Sequence, residues 1–119
     1  MGLISISFDF DDTLSLPSVQ EVAKSLVLEG YDLKILTSRR ENVDNSDLFK
    51  VANDLCIDDV RFTNYGSKHE YLSNYEADIH IDDKKIELIA ISQFTNVEVV
   101  DVTNSNWEFL LNQLLDREI

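Results

Sequence analysis

The sequence predicts an α/β protein with a three-layer, Rossmann-like fold: a parallel five-stranded sheet, helices on both of its faces and no cap domain. Short apolar segments alternate with segments of helical periodicity along the chain, which is typical of a parallel sheet covered by helices. With 119 residues, of which 44% are hydrophobic, the chain is long enough for one core. No repeat, low-complexity segment or polar linker divides it, so we expect a single domain over residues 1–119.

The predicted strands and helices follow one another in order. Apolar segments predict strands at 3–8, 32–36, 60–63, 77–81 and 97–102. Apolar residues spaced three and four positions apart predict the helices between and after these strands. In three helices a serine is followed by glutamate three positions later, a capping box that predicts helix starts at Ser18, Ser67 and Ser105. Gly30 is placed to end the first helix.

Charge and cysteine content limit the classes of partner and the compartment. The net charge is −13, from 23 acidic and 10 basic residues, which disfavours membrane surfaces and an extended nucleic-acid duplex. No apolar run approaches the roughly 20 residues that cross a bilayer, and no basic segment precedes an apolar one at the N-terminus, so we expect no signal peptide. One cysteine, Cys56, cannot form an internal disulfide, which favours a reducing, cytoplasmic location. We interpret Cys56 as a small buried apolar residue.

Three predicted strands end at polar residues that can carry chemistry: Asp9, Thr37 and Asp82. Right-handed crossovers place the carboxyl ends of parallel strands at one edge of the sheet. Ligands of open α/β sheets bind in the crevice along that edge. We therefore expect these three residues to converge on a site.

The first strand leads into Asp9-Phe10-Asp11-Asp12-Thr13. Two carboxylates so close together do not both stay ionised easily unless a cation is bound or one carries a proton. Mg²⁺, held by one or two carboxylates and by phosphate oxygens, resolves this conflict, and an aspartate can also be a covalent nucleophile for phosphorus. The alternative is a polar turn that caps the next element.

Two further segments supply groups that bind phosphate. The hydroxyl of Thr37 can donate to a phosphoryl oxygen, and Arg39, after Ser38, can bind one through two hydrogen bonds; the alternative is a common helix-entry sequence. Lys68 lies in the first turn of a predicted helix, where the helix dipole disfavours a cation. It therefore needs a carboxylate or phosphate partner, unless it is a solvated surface lysine.

The fourth segment, Ile81-Asp82-Asp83, repeats the arrangement of the first at another strand end. Asp82 is the better metal ligand because it is nearer the strand. Asp83 either joins the site or caps the helix that follows. We interpret His80, within the strand, as half-buried and structural.

In these four segments the chain resembles the haloacid dehalogenase-like superfamily: D-x-D-x-T at 9–13, a strand ending in Thr37, Lys68, and a strand ending in Asp82-Asp83. The resemblance implies that Asp9 is the nucleophile and a Mg²⁺ ligand. It implies that Asp11 is the general acid/base and binds the metal through its carbonyl, and that Asp82 completes the metal site. Thr37 and Lys68 would hold the phosphoryl group. Thr13, Ser38, Arg39 and Asp83 are further candidates for substrate contact or support.

The resemblance implies a phosphatase that hydrolyses a phosphomonoester through an aspartyl phosphate. The intervals after Leu14 and after Thr37 are too short for the cap domain that many relatives insert. An open site admits a bulky phosphorylated substrate, and a nucleotide, a nucleic-acid end and a phosphosugar all stay open, as does a homo-oligomer that closes the site. The alternatives are a receiver-like phospho-signalling module, whose motif order fits poorly, and a phosphate-binding module without catalysis.

Overall fold

In the computed structural model of the protein, which describes residues 4–73 and 77–118, strands and helices alternate as predicted. The strands are β1 Ser5–Phe8, β2 Asp32–Thr37, β3 Asp59–Phe62, β4 Ile79–Asp82 and β5 Glu98–Asp101. The helices are α1 Pro17–Leu28, α2 Ser46–Asp54, α3 Lys68–Leu72, α4 Lys85–Phe94 and α5 Trp107–Glu118. A tight turn, Phe10–Leu14, joins β1 to α1. The start of the first predicted strand, at residue 3, lies outside the described residues.

The five strands form one parallel sheet in the order β3-β2-β1-β4-β5, which confirms the predicted fold class. The chain builds outward from β1 to β2 and β3, then returns to the other side of β1 for β4 and β5. This reversal creates a crevice at the carboxyl ends of β1 and β4, the position where open α/β sheets bind ligands.

Helices cover both faces of the sheet. Buried side chains of α1, α2 and α5, such as Ala23, Leu48 and Leu111, belong to one apolar cluster with the strand residues that face them. Leu72 of α3 and Ile91 of α4 pack with Leu36 in a second cluster. The sheet is therefore the middle of three layers, and its strand ends are held rigidly from two sides.

Two of the three predicted helix starts are wrong, and the start at Ser67 is confirmed because Ser67 is the residue directly before α3. Ser18 lies inside α1, which begins at Pro17, because the fixed φ of proline suits the first helical position. Ser67 precedes α3 but makes no side-chain capping bond, and α5 begins at Trp107, past Ser105. Gly30, with φ of 93°, does end α1 as predicted.

Cys56 is exposed, so the prediction of a buried cysteine is also wrong. It follows the last turn of α2 with φ of 59°, a left-handed conformation that turns the chain toward β3. In the intervals 9–31 and 38–58 the structure contains a turn, α1 and α2, and no cap domain. None of the helices in the described part of the chain is both long and apolar enough to cross a membrane.

Candidate active site

The sheet register places Asp9 and Asp82 side by side. Phe8 of β1 pairs with Ile81 of β4, so the next residues of the two strands are level at the carboxyl edge. The amide of Asp9 donates to the carbonyl of Ile81 at 2.9 Å and fixes this alignment. Both carboxylates are buried at the crevice between β1 and β4.

Lys68 joins these two carboxylates. Its Nζ lies 2.7 Å from Asp9 Oδ1 and 2.6 Å from Asp82 Oδ2, and its side chain is 1% exposed. The backbone N–H of Lys68 donates to Glu87 Oε2 at 3.1 Å, which positions the start of α3. The two carboxylates supply the partner that a lysine in the first turn of a helix requires.

Asp83 belongs to this cluster and does not cap α4. The helix begins at Lys85, and Lys84 at the preceding cap position makes no side-chain capping bond. Asp82 Oδ1 instead accepts from the N–H groups of Asp83 and Lys84, at 2.9 and 3.1 Å. Carboxylate oxygens of Asp9, Asp82 and Asp83 all lie within 4.8 Å of one another.

Thr13 links the two sides of the cluster. This buried hydroxyl lies 3.1 Å from Asp9 Oδ2 and 3.3 Å from Asp83 Oδ1. A threonine hydroxyl has one proton, so it donates to one of these oxygens at a time. It thereby holds Asp9 on the side that Lys68 leaves open.

The cluster carries more negative charge than Lys68 can balance. Burial raises the pKa of Asp9 to about 7, and the charge of Asp82 adds to this effect while Lys68 opposes it. Burial by itself would lower the pKa of Lys68, but the charges of Asp82 and Asp9 outweigh it and raise this pKa. If all three carboxylates are ionised, Lys68 balances one of them and leaves an excess of two charges, which a divalent cation would neutralise. All-oxygen donors at this spacing can hold a metal ion.

His80 supports Asp82 and was missed as part of the site. It is completely buried, not half-buried as predicted, with Nε2 at 2.8 Å from Asp82 Oδ2 and Nδ1 at 2.6 Å from Ser7 Oγ. Burial lowers the pKa of His80, and a neutral ring that donates from Nε2 and accepts from Ser7 satisfies both contacts. The signal in the sequence was the serine at position 7, one of two serines that alternate with apolar residues in β1, but only the register pairs it with His80.

The turn Phe10–Leu14 directs Asp11 away from the cluster toward Arg39. The amides of Leu14 and Ser15 donate to the carbonyls of Asp9 and Phe10, and Asp12 adopts φ of 58°. Aspartate tolerates this left-handed conformation better than most residues. As a result the side chain of Asp11 is 53% exposed, and its two oxygens lie 2.7 and 2.9 Å from Arg39 nitrogens.

Arg39 is held on two sides by carboxylates. Besides Asp11 it donates to both oxygens of Asp47 at 2.7 and 2.9 Å, and it lies over the ring of Phe10, 4.9 Å from its centroid. The hydrogen bonds from Arg39 are the main reason that the pKa of Asp47 is lowered to about 2. Arg39 thus forms two ion pairs, with Asp11 and Asp47, and its contact with a phosphoryl group stays a prediction. Sequence reasoning missed Asp47, which offers no motif of its own.

Thr37 and Ser38 lie at the same edge, at the end of β2. Thr37 is buried, and its Oγ1 accepts from the N–H of Arg39 at 3.2 Å. Ser38 and Lys68 line an adjoining cavity of about 330 Å³. All four predicted segments thus meet at one edge of the sheet, although Asp11 faces Arg39 and not the acidic cluster.

Comparison of the chain with known protein families, curated proteins and solved structures finds no match. The function of this site is therefore argued from its own geometry.

Proposed function

We propose that the protein is a magnesium-dependent phosphomonoester hydrolase of the haloacid dehalogenase-like kind, acting through an aspartyl phosphate on Asp9. The observation that carries the proposal is the buried bridge of Lys68 between Asp9 and Asp82 at the switch point of the sheet. A nucleophilic carboxylate, a fixed ammonium and an excess of acidic oxygens in one crevice are the groups that phosphoryl transfer requires.

In the first step a carboxylate oxygen of Asp9 forms a bond to phosphorus while the ester P–O bond breaks. Asp11 gives its proton to the leaving oxygen, which departs as an alcohol. In the second step water attacks phosphorus, its proton passes to Asp11, and the bond between phosphorus and Asp9 breaks to release phosphate. Lys68 and the hydroxyl of Thr37 hold the equatorial phosphoryl oxygens as charge develops on them.

The residues that would hold Mg²⁺ are Asp9, Asp82 and Asp83, whose carboxylate oxygens cluster within 4.8 Å, together with the backbone carbonyl of Asp11. The ion supplies positive charge that stabilises the transferring phosphoryl group. Its double charge also matches the excess that Lys68 leaves uncompensated.

Asp11 must leave Arg39 and take up a proton from solvent before it can protonate the leaving oxygen of the substrate. Both of its oxygens accept from Arg39. Asp47 keeps two nitrogens of the same guanidinium engaged, so Arg39 stays in place when Asp11 turns toward the cluster. The ion pair is thus a resting position for the general acid/base.

In the described residues no cap domain covers the site, which suits a phosphate ester with a bulky leaving group. The lone, exposed Cys56 fits a reducing compartment, and we infer a cytoplasmic location from it.

Phosphate release from an aryl phosphate and from a panel of nucleotides and phosphosugars, with and without Mg²⁺, tests the proposal. We expect turnover that needs Mg²⁺ and is abolished in Asp9→Asn. The matched control is Asp12→Asn in the same turn, which should keep activity because Asp12 is exposed and asparagine also tolerates its positive φ. Turnover in Asp9→Asn would refute the assignment of Asp9 as the nucleophile. A beryllofluoride adduct on Asp9 without hydrolysis of any ester would favour a receiver-like or binding module instead.

A further inference from the structure

The cavity beside Lys68 contains groups that phosphoryl transfer does not use. Besides Ser38 and Lys68, its walls include Tyr65, Lys84 and Ile86. Its volume of about 330 Å³ falls within the range of small-molecule sites, roughly 300–1,000 Å³. Because it opens directly at Lys68, the leaving group of a bound phosphate ester would extend into it.

Tyr65 is held at the mouth of this cavity by its backbone. Asn64 and Tyr65 have φ of 53° and 69°, two consecutive left-handed residues with side chains, a conformation that costs free energy unless surrounding bonds enforce it. The amide of Tyr65 donates to the carbonyl of Ser38 at 2.8 Å, and that of Asn64 to the carbonyl of Arg39 at 3.2 Å. These bonds fix Tyr65 relative to the residues that directly follow Thr37.

The ring of Tyr65 is exposed although its backbone is strained. Its residue is 73% exposed, so burial in the core does not explain the conformation. The guanidinium of Arg40 lies over the ring, 5.3 Å from its centroid. Tyr65 also lines a second cavity of about 460 Å³, together with Arg40.

Other walls complete a surface suited to a flat aromatic group with negative charge near it. Ile86 is 81% exposed and adds an apolar side chain. Lys84 and Arg40 add positive charge to the walls around Tyr65, beside the acidic Glu87 in the first cavity and Asp44 and Asp47 in the second. Aromatic platforms flanked by cations bind nucleobases by stacking, largely without regard to base identity.

We propose that this cavity binds the nucleoside part of the substrate, with the base stacked on Tyr65, so that the substrate is a nucleoside monophosphate or the terminal nucleotide of a strand. The proposal rests on the proposed function, because the phosphate is taken to lie at Asp9 and Lys68. It favours a nucleotide over a phosphosugar, since the exposed ring of Tyr65 offers a flat base a stacking surface.

Calorimetric binding of adenosine 5′-monophosphate and of ribose 5-phosphate, alongside phosphate release from both, tests the proposal. We expect the nucleotide to bind at least about fivefold more tightly, the lower limit for stacking one base. Tyr65→Leu should remove this preference and Tyr65→Phe should keep it. Phe109→Leu is the control, because Phe109 is an exposed aromatic residue of α5. A short 5′-phosphorylated oligonucleotide distinguishes the two candidate substrates. If it binds more tightly than the mononucleotide, the substrate is the end of a strand. If it binds equally or more weakly, the substrate is a free nucleotide.

Equal affinity for the two esters, no binding of either, or an equal loss for both in Tyr65→Leu would overturn the nucleotide site. If esters are hydrolysed without preference for a base, the phosphatase proposal stands and the nucleotide site fails. If base-dependent binding occurs without hydrolysis of any ester, the nucleotide site stands and the phosphatase proposal fails.

Discussion

Both carboxylate oxygens of Asp11 accept hydrogen bonds from Arg39, at 2.7 and 2.9 Å. Asp47 binds the same guanidinium from the other side, so Arg39 occupies a fixed place beside the turn. We propose that Arg39 acts on the reaction through Asp11, as a positioning residue.

This relationship predicts that Arg39→Gln lowers kcat by about 10- to 100-fold, because a misplaced Asp11 transfers its proton poorly. KM should change by less than about threefold, since no phosphate contact is lost. Steady-state kinetics separates the two constants. Arg61→Gln is the charge control, because it removes a cation paired with Asp59 on β3. It should leave both kcat and KM unchanged. A rise in KM with kcat preserved would instead mean that Arg39 binds the phosphate.

Asp11→Asn should lower kcat by about 10²- to 10⁴-fold for an alkyl phosphate, because asparagine cannot protonate the leaving oxygen. The loss should be much smaller for a nitrophenyl phosphate, whose leaving group departs without a proton. The ratio of kcat for the alkyl phosphate to kcat for the nitrophenyl phosphate, compared between wild type and Asp11→Asn, measures the loss of leaving-group protonation independently of enzyme concentration. Equal losses for both esters would contradict the role of Asp11 as general acid.

Lys68→Met should destabilise the protein by about 3–5 kcal/mol in the absence of metal, because it leaves the buried carboxylates of Asp9 and Asp82 without their cation. Urea unfolding monitored by circular dichroism measures the change. The matched control is Lys50→Met, which breaks an exposed pair with Asp54 on α2 and should cost only about 0.3–0.5 kcal/mol. Similar losses in the two variants would refute the buried bridge.

Mg²⁺ should raise the melting temperature of the wild-type protein because it binds the folded state, and the rise should grow as the Mg²⁺ concentration exceeds the Kd. Asp82→Asn and Asp83→Asn should reduce this rise, because each removes an oxygen donor from the cluster. Thermal unfolding across a Mg²⁺ titration in chelated and reloaded protein gives the measurement. Asp54→Asn, a surface carboxylate outside the cluster, should respond like the wild type. If the rise in melting temperature on adding Mg²⁺ is unchanged in both Asp82→Asn and Asp83→Asn, the metal binds elsewhere.

The raised pKa of Asp9, about 7 against an ordinary 3.8, predicts a pH dependence of stability in the metal-free protein. The folded state holds a proton on Asp9 that the unfolded state has already released. The stabilisation from this proton is therefore complete below about pH 4 and is lost as pH rises toward 7, by as much as about 4 kcal/mol.

His80 affects the pH dependence of stability in the opposite direction. Its pKa is lowered in the folded state, so the stability that it contributes is lost as pH falls below about 6.5. To separate the two effects, the measurement is the difference in unfolding free energy between wild type and Asp9→Asn from pH 4 to 7. We expect the wild type to lose stability relative to Asp9→Asn over this range, and saturating Mg²⁺ to abolish the loss. A difference that is flat or of opposite sign without metal would contradict a buried, proton-binding Asp9.

Much of the fold and part of the site could be predicted from local patterns. Apolar periodicity fixes which segments become strands, and chain order fixes that Asp9, Thr37 and Asp82 end three of them at one edge. The same patterns failed at the start of α1, which begins at Pro17, and in the capping of α3, where the amide of Lys68 donates to the carboxylate of Glu87. Local patterns cannot show that a carboxylate of another helix lies within reach of a helix start.

The sequence alone determined that two carboxylates and a hydroxyl would gather at the carboxyl edge of a parallel sheet, because strand ends are local properties. The tertiary structure decided which of these groups touch. The packing of α3 brings Lys68 between Asp9 and Asp82, strand register sets His80 behind Asp82, and the turn after β1 sends Asp11 to Arg39. Side-chain partners depend on register and helix packing, which join residues far apart in the chain.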